Sequence, residues 1–354
     1  MKLDLIKTDK VVRDITQLVT RITWSGEFTN VARKLEVDMA HSPSDYYLPK
    51  VVIDYGDMVR LWDDEGKELF RGIVFTKEKS YNSDTLKFIC FDNGIYLKRN
   101  KGAYNFKNMT PEGMVAKICS DFGITLQYAE QTNVKLSRIA VGEDLYTMIM
   151  KGYSYASASL GELYIPIFIK GKLNIIPKGA ICSEIVLENK ANLRDSTFSG
   201  TIENMVNQVV IVDKDGNKKG EVKNDEWIKA FGRMQEVYSI EEGKNSTEMA
   251  EKLLKGVEEK ASIEVSGNID YRTGFAVFVN DEYTGLTGLF YIDADEHTWE
   301  NGDHITRLTL SFENIMDLKD VEDVAKKVEK SKKGKKGKKQ SIQDSNTFKI
   351  KLDY

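Results

Sequence analysis

Apolar and polar residues alternate along most of the chain, which is the period of a β-strand with one buried face. Leu35, Val37 and Met39 alternate with charged residues, and Val59 with Leu61 leads into the turn residues 63–66. Further strands of this kind are expected at Leu69–Phe75, Ile165–Ile169, a return strand through Ile175, Val209–Val212 and Leu308–Phe312. The pattern predicts a mainly β protein with minor α content, an α+β fold.

Few segments have helical spacing. Thr110 is a good N-cap and Pro111 suits the first helical position, so we expect a helix to Phe122, ended by Gly123. A second helix is expected at about 248–259, and a weaker one at 321–328. The segment 145–155 has helical spacing in part, and its structure stays open.

Two stretches of the chain resemble each other. Gly56 and Gly274 are each followed at the same offsets by two apolar strand residues and an acidic pair, and then by a Gly-containing turn and a second strand. Each stretch closes on an aromatic residue, an acid and an Asn, at 91–93 and 312–314. This favours one β-barrel or sandwich unit built twice, although two hairpin-rich stretches can align by composition alone.

The repeat suggests five segments. Residues 1–100 are predicted to form the first β-domain and 101–199 a mixed α/β insert domain. Residues 200–316 then form the second β-domain, with the inserted helix at about 248–259. The remaining segments are a helix with a Lys-rich linker at 317–340 and a β-patterned docking peptide at 341–354.

Composition and charge refine this picture. The 354 residues are 41% apolar and 30% charged, as in a globular protein. The longest apolar run, Leu163–Ile169, contains Pro166 and is far shorter than the ~20 residues that span a bilayer, so no stable membrane insertion is expected. The net charge of −4 is uneven, because Lys326–Lys339 carries +8 and the rest of the chain −12.

The cysteines and the N-terminus indicate where the protein matures. Cys90, Cys119 and Cys182 have neither CxxC spacing nor the density of a disulfide scaffold. Residues 1–10 contain two Asp and no apolar core of a signal peptide. We therefore expect a reducing compartment and a protein that matures in a cytoplasm.

Candidate chemistry is sparse. The densest polar cluster, Asp293–Trp299, includes His297 and is followed by His304; it is either a metal or acid–base site or an acidic loop that joins two strands. Residues 213–217 resemble a calcium loop, but the spacing favours a hairpin turn. No nucleotide, nucleophile or zinc-protease motif occurs. The expectation is a non-enzymatic protein with no catalytic residues, cofactor or metal.

The tail has two parts. Lys326–Lys339 has no aromatic residues and contains Gly spacers, which favours a linker over specific nucleic-acid binding. Beyond it, Phe348, Ile350 and Leu352 alternate with charged residues. These three residues are the predicted partner-binding residues of a peptide that adds a strand to a sheet edge; the alternative is a frayed terminus.

Several stretches resemble the central baseplate hub protein of contractile tails, from phages, prophages and phage-tail-like bacteriocins of Gram-positive bacteria. The resemblance spans about residues 15–317 and lies in Trp24–Gly26, Ala32–Leu35, Phe91–Leu97, Asn100–Lys101, Tyr104–Phe106, Thr110–Glu112, Ile118–Ile124, Tyr291–Asp295, His297–Trp299, Asn301–Gly302 and Phe312–Asn314.

This resemblance implies a non-enzymatic homotrimer whose two tube-type β-domains per subunit form a pseudo-six-fold ring. The implied partners are the hexameric tail tube protein, the central spike or needle protein and other baseplate proteins. Trp24, Trp62, Trp227 and Trp299 are either core residues or interface anchors. An acidic body that lines the lumen would repel passing DNA. The competing function is binding or degradation of the cell wall, because the helix before Gly123 partly resembles a LysM motif.

Overall fold

Alternating burial along the strands dominates the fold. A computed structural model describes residues 1–81, 83–242 and 244–319. Within these ranges 52% of the residues lie in strands and 16% in helices, so the mainly β, α+β prediction is confirmed. In the strand Asn30–Ala40 the predicted residues Leu35, Val37 and Met39 are all buried. The sheets of the described residues are not closed into barrels.

The first hundred residues supply strands, one turn of 3₁₀-helix (Thr16–Leu18) and one short α-helix. These elements are β1 (Lys2–Ile6), β2 (Val12–Asp14), β3 (Val19–Glu27), β4 (Asn30–Ala40), β5 (Met58–Trp62), β6 (Glu68–Lys79), β7 (Thr85–Asp92) and α1 (Gly94–Arg99).

The next segment mixes helices and strands. It contains β8 (Lys101–Met109), α2 (Pro111–Phe122), β9 (Leu126–Ala129), β10 (Leu136–Asp144), α3 (Leu145–Leu160), β11 (Tyr164–Ile169), β12 (Lys172–Pro177), β13 (Ala180–Glu188) and β14 (Leu193–Thr201). Strands β8 and β10 form one sheet, and β11, β12 and β9 form another in that order.

The last part of the described chain returns to strands. Its elements are β15 (Gln208–Val212), β16 (Lys218–Lys223), α4 (Asp225–Phe231), β17 (Gln235–Ser239), α5 (Ser246–Glu251), β18 (Glu258–Ser266), β19 (Phe275–Asp281), β20 (Leu286–Glu300) and β21 (Asp303–Ser311). The described chain divides into two compact units, Thr197–Ser262 and the residues on either side of it. The predicted domain borders at 100, 199 and 316 remain predictions.

The same strand order occurs twice in the main sheet. One half runs β3-β4-β7-β6-β5-β1, and the other runs β14-β18-β21-β20-β19-β13. The two stretches that resemble each other in sequence occupy β5–β7 and β19–β21, which hold the same places in these two orders. One difference is that β1 pairs antiparallel with β5, whereas β13 pairs parallel with β19. Strand β20 also pairs with β3 and so joins the two halves.

Helix α2 forms as the sequence predicts. The Thr110 side chain accepts a hydrogen bond from the Gly113 N–H at 3.3 Å, and Gly123 ends the helix with a φ of 63°. Val115 and Ile118 are fully buried, while Phe122 at the last position is exposed. The buried face packs with α3 in one apolar core.

Helix α3 resolves the segment that the sequence left open. It begins after Asp144, whose carboxylate accepts a hydrogen bond from the Thr147 N–H at 2.8 Å, and it ends at Gly161 in the left-handed region. Its buried residues include Met148, Ile149 and Tyr153.

The helix expected at about 248–259 is much shorter in the structure. Helix α5 ends at Glu251, because Lys255, four residues further on, exchanges two backbone hydrogen bonds with Val206 and so cannot continue the helix. Gly256 then disfavours continuation of the helix, and β18 begins at Glu258. The predicted apolar face still contributes to the small core of the unit Thr197–Ser262 through Ala250 and its neighbours. The helix expected at 321–328 lies outside the described residues.

Candidate functional site

The polar cluster Asp293–Trp299 lies inside strand β20, so the interpretation of this stretch as an acidic loop was wrong. Both edges of this stretch are paired, one with β3 and the other with β21. The side chains of Asp295 and His297 point into the protein and are buried, whereas Glu296 between them is partly exposed. The strand was missed because its buried positions are polar, and the apolar alternation that identifies a strand is absent.

The Asp295 carboxylate is surrounded by donors. Arg33, on β4, donates through its two terminal guanidinium nitrogens, Nη1 and Nη2. The bond from Nη1 to Oδ1 is 2.9 Å long. Thr273 donates twice to Oδ1, from its N–H and its hydroxyl, each at 2.7 Å. Such a two-pronged Arg–carboxylate pair is among the stronger charge-assisted contacts in proteins.

Two residues of β3 accommodate this ion pair: Gly26 leaves space for the Arg33 guanidinium, and Trp24 contacts it. Gly26 pairs with Asp295 across the two strands, and a Cβ at Gly26 would lie 2.5 Å from Arg33 Nη1. The Arg33 guanidinium carbon lies 4.1 Å from the ring centre of Trp24, a cation–π contact. The motifs at 24–26, 32–35 and 291–299 therefore meet at one place in the structure.

His297 extends the network from Asp295. Its Nε2 lies 3.1 Å from the Tyr271 carbonyl oxygen and 3.2 Å from Asp295 Oδ2. Its Nδ1 lies 3.1 Å from the Thr306 hydroxyl. A neutral ring protonated at Nε2 satisfies these contacts, because Nε2 then donates and Nδ1 accepts from Thr306.

Charge states follow from burial and from the ion pair. Burial alone raises the pKa of Asp295, but Arg33 and the hydrogen bonds outweigh it and hold this pKa well below its usual range. Burial lowers the pKa of His297 more than the neighbouring carboxylate raises it. We therefore describe Asp295 as ionised and His297 as neutral. Burial also lowers the pKa of Arg272 to about 10, which leaves it charged at neutral pH.

The polar groups of this arrangement are paired with one another. The carboxylate oxygens of Asp295 are engaged by Arg33 and Thr273, and both ring nitrogens of His297 have partners. Within the described ranges no group of three or more His, Cys, Asp or Glu side chains could hold a metal ion. Because Arg33 belongs to the first half of the sheet and Asp295 to the second, the network instead ties the two halves together. We call Trp24, Arg33, Thr273, Asp295 and His297 the seam.

A second feature couples the two repeats to the hairpin β11–β12. Asn93 and Asn314 are the repeat-closing Asn residues in the two halves. The Asn93 amide donates to the Gly171 carbonyl oxygen, and the Asn314 amide donates to the Lys178 carbonyl oxygen, each at 2.9 Å. Gly171 and Lys178 flank strand β12, so equivalent residues of the two repeats hold its two ends.

An exposed aromatic loop connects β4 to β5. Tyr46 and Tyr47 are each 97% exposed, and Tyr55 is 66% exposed. The second part of the loop is anchored, since the Lys7 ammonium donates to Asp57 and the Lys77 ammonium to the Ile53 carbonyl oxygen, each at 2.7 Å. Within the loop, the Lys50 ammonium donates to the Asp45 carbonyl oxygen at 2.6 Å. Exposed aromatic residues on an anchored loop are typical of a protein–protein contact surface.

The other candidates from the sequence have structural roles. Trp24 is a core residue, whereas Trp62, Trp227 and Trp299 are partly exposed. Residues 213–217 form a hairpin turn in which the Asp213 carboxylate accepts from the Asn217 N–H at 2.8 Å. His304 stacks on Trp299, and burial lowers the pKa of its imidazole to about 4.

The predicted partner-binding residues Phe348, Ile350 and Leu352, and the linker Lys326–Lys339, lie outside the described residues. Among the described helices, none has both the length and the apolar character needed to cross a bilayer.

Comparison with known proteins gives a family. Residues 22–311 match the sequence profile of the family described as YQBQ-like. The chain is 25% identical over 308 residues to the phage-like element PBSX protein XkdQ of Bacillus subtilis, which covers 83% of this chain and 93% of that protein.

Solved structures share the fold. The 43 kDa tail protein of prophage MuSo2 from Shewanella oneidensis has a TM-score of 0.66 at 16% identity, covering 88% of this chain and 97% of that one. The tail protein from Neisseria meningitidis has a TM-score of 0.59 at 16% identity, covering 87% and 95%.

Proposed function

The chain belongs to the YQBQ-like family, and from this membership we propose that it is the structural hub of a contractile-tail baseplate. In this role three copies form a ring around the tail axis. The ring joins the hexameric tail tube protein on one side to the central spike or needle protein on the other. The hub acts as a symmetry adaptor in a phage tail or a tail-like bacteriocin particle, and it is assembled in the bacterial cytoplasm.

The twofold occurrence of one strand order carries this proposal. A chain with two similar sheet halves presents two similar surfaces, so a trimer presents six around its axis. Such a ring matches a six-fold partner on one face while its three chains match a three-fold partner on the other. A single-copy chain would give three surfaces and no such match.

The seam suits a ring of this kind. It places a buried ion pair across β3 and β20, where the two halves of the sheet meet. A fixed junction holds the two halves at one register in every subunit, and this is what a six-fold partner requires. The same role needs no catalytic residues and no cofactor, and the solved structures that share the fold are tail proteins by their descriptions.

The aromatic loop 41–57 is the surface we assign to neighbouring tail or baseplate proteins. Incorporation into particles tests this assignment. A variant with Tyr46→Ser and Tyr47→Ser should fold but be depleted from assembled tails. Tyr283→Ser is the matched control, because Tyr283 is 79% exposed on the β19–β20 hairpin, and this variant should be incorporated normally.

Cryo-electron microscopy of assembled tails tests the hub itself. We expect three copies of the chain on the tail axis, between the last tube ring and the spike. Any other copy number on the axis, or a position away from it, contradicts the proposal. Binding of the purified chain to peptidoglycan, or clearing of a cell-wall suspension, would favour the cell-wall function instead.

The C-terminal segment is the part that we assign to spike attachment. Phe348, Ile350 and Leu352 form an apolar stripe at strand spacing behind a Lys-rich linker, a sequence suited to strand addition on a partner's sheet edge. Deletion from Lys332 onward should release the spike while the hub remains on the tube. Retention of the spike in this deletion contradicts the assignment.

A further inference from the structure

An open groove lies beside strand β9. Strand β9 is the last strand of the sheet β11-β12-β9, and β12 is its one strand partner among the described residues. Helix α2 contacts β9. Between them runs a groove of about 530 Å³, lined by Thr110, Glu112, Gly113, Ala116, Leu126, Gln127, Tyr128, Ala129, Gln131 and Asn133. A strand edge beside a helix is a geometry that accepts an extended peptide.

The lining suits a peptide that is both apolar and basic. Ala116, Leu126 and Ala129 provide apolar surface, and Tyr128 is 46% exposed. The lining contains no Lys or Arg and one carboxylate, that of Glu112, which also accepts hydrogen bonds from Thr132 and Asn133. A strand with apolar residues on one face and Lys on the other would match this groove better than an acidic one.

The chain itself carries such a peptide. Phe348, Ile350 and Leu352 alternate with Lys349 and Lys351. The apolar residues give one face of an extended strand, and the two Lys give the other. No other part of the chain combines this pattern with a linker of net charge +8.

The described chain ends against helix α3, the neighbour of the groove helix α2. Met316 belongs to the same apolar core as α2 and α3. The Lys319 N–H donates to the Ser154 hydroxyl on α3 at 3.0 Å, and the Tyr146 hydroxyl of α3 donates to Asp317 at 2.7 Å. Helix α3 packs on α2, which forms one wall of the groove.

The 28 residues 320–347 join Lys319 to Phe348 and set the reach of the segment. A random coil of this length has an end-to-end distance of about 30 Å. A tethered peptide within this reach experiences an effective concentration on the order of millimolar, which favours its own groove over that of a second copy.

We propose that the groove between α2 and β9 binds the C-terminal segment 347–353 of the same chain as an added β-strand. This inference rests on the strand-forming role proposed above for that segment. In the free protein the groove holds the segment, and assembly transfers it to the sheet edge of the spike.

Photo-crosslinking of the full chain tests the proposal. Phe348 is replaced by benzoylphenylalanine, which keeps the phenyl ring, and the crosslinked peptides are identified by mass spectrometry. We expect crosslinks to residues 110–116 and 126–133. In a mixture of isotopically heavy and light chains, these crosslinks should stay within one chain. Crosslinks spread over other elements, or mostly between heavy and light chains, overturn the proposal.

Two helix variants provide the matched comparison. Ala116 lines the groove and Ser120 follows one turn later on the same helix; both are exposed, and Ser120 does not line the groove. Ala116→Arg should abolish the crosslinks, whereas Ser120→Arg should leave them unchanged. Equal crosslinking in the two variants contradicts the proposal.

Hydrogen exchange gives a second readout without the crosslinker. Peptides that cover 124–133 should exchange more slowly in the full chain than in the Ile350→Ser variant. Equal exchange overturns groove binding. Spike attachment distinguishes this inference from the proposed function. If the full chain gives no groove crosslinks but deletion from Lys332 onward still releases the spike, this inference is refuted and the hub function stands.

Discussion

Removal of the Asp295 carboxylate is the most direct test of the seam. Asp295→Ala leaves the Arg33 guanidinium buried beside Trp24 without its anion and takes away the acceptor of the Thr273 N–H, while the Thr273 hydroxyl keeps the Gly26 carbonyl oxygen at 3.0 Å. Loss of one partner of a buried, hydrogen-bonded ion pair costs about 3–5 kcal/mol in other proteins. Since Asp295 is 2% exposed, we expect the free energy of unfolding to fall by about that amount.

An exposed ion pair in the same half of the sheet provides the control. The Arg194 guanidinium donates to the Asp303 carboxylate at 2.7 Å, but the Asp303 side chain is 54% exposed. Exposed pairs contribute about 0.2–1 kcal/mol, so Asp303→Ala should change stability by no more than that. Each variant removes an Asp that pairs with an Arg, and the two differ in the burial of the pair and in the hydrogen bonds that Asp295 receives from Thr273.

Urea unfolding at pH 7, followed by the fluorescence of the four tryptophans, measures both variants. A double-mutant cycle with Arg33→Met and Asp295→Ala should give a large coupling energy, since the two side chains share their hydrogen bonds. If Asp295→Ala loses less than about 1 kcal/mol, or no more than Asp303→Ala, the description of the seam as a buried ion pair is wrong.

The pH dependence has a defined sign. The pKa of Asp295 is lower in the folded protein than its ordinary value of about 3.9, so its stabilisation is complete above that value. The stabilisation disappears as the pH falls from about 4 toward the folded pKa. The stability difference between wild type and Asp295→Asn should therefore shrink in acid, and a difference that grows below pH 4 would contradict the assignment.

Three further predictions concern other parts of the chain. Burial raises the pKa of Asp92 to about 7, whereas this carboxyl has a pKa of about 3.9 in the unfolded chain. Between pH 4 and 7 the folded protein therefore holds a proton that the unfolded chain has released, and the free energy of unfolding should fall as the pH rises. Urea unfolding across that range should show this fall in wild type and a smaller one in Asp92→Asn. Gly179→Ala should lower the thermal unfolding temperature more than Gly216→Ala. Both glycines have positive φ, but a Cβ at Gly179 would clash with the Asn314 amide, whereas a Cβ at Gly216 meets no other atom. Equal decreases in the unfolding temperature contradict this reasoning. Thr110→Ala removes the N-cap of α2 and should cost about 0.5–2 kcal/mol in urea unfolding, whereas no loss would mean that the cap is unimportant.

The sheet halves could be predicted from sequence because their signals are local. Alternating burial in β4 and β5 identifies strands, and the capping residues Thr110 and Gly123 give the ends of α2 within one residue. The helix at 248–259 was predicted too long because its end depends on the backbone pairing of Lys255 with Val206, about fifty residues away in sequence. No local pattern encodes such a contact.

The seam could not be predicted as a structural feature. Its residues come from β3, β4, the segment before β19, and β20, and Arg33 and Asp295 are separated by 262 positions. In sequence, an Asp and a His two residues apart indicate a catalytic or metal site as readily as a strand. The signal that was available is the resemblance itself, since the motifs at 24–26, 32–35 and 291–299 surround this ion pair.

A charged seam sets register in a way that an apolar seam does not. Two strands with apolar faces can slip by two residues and still bury apolar side chains, because strand side chains repeat every second position. Here Gly26 must stand opposite Asp295 to admit Arg33, and Trp24 must stand opposite His297. A two-residue slip would leave the buried carboxylate without its donors, a penalty that removes the slipped register from the folded ensemble. In the hub that we propose, the two halves serve as equivalent surfaces, and one register at β3–β20 fixes the relation of both halves within every copy.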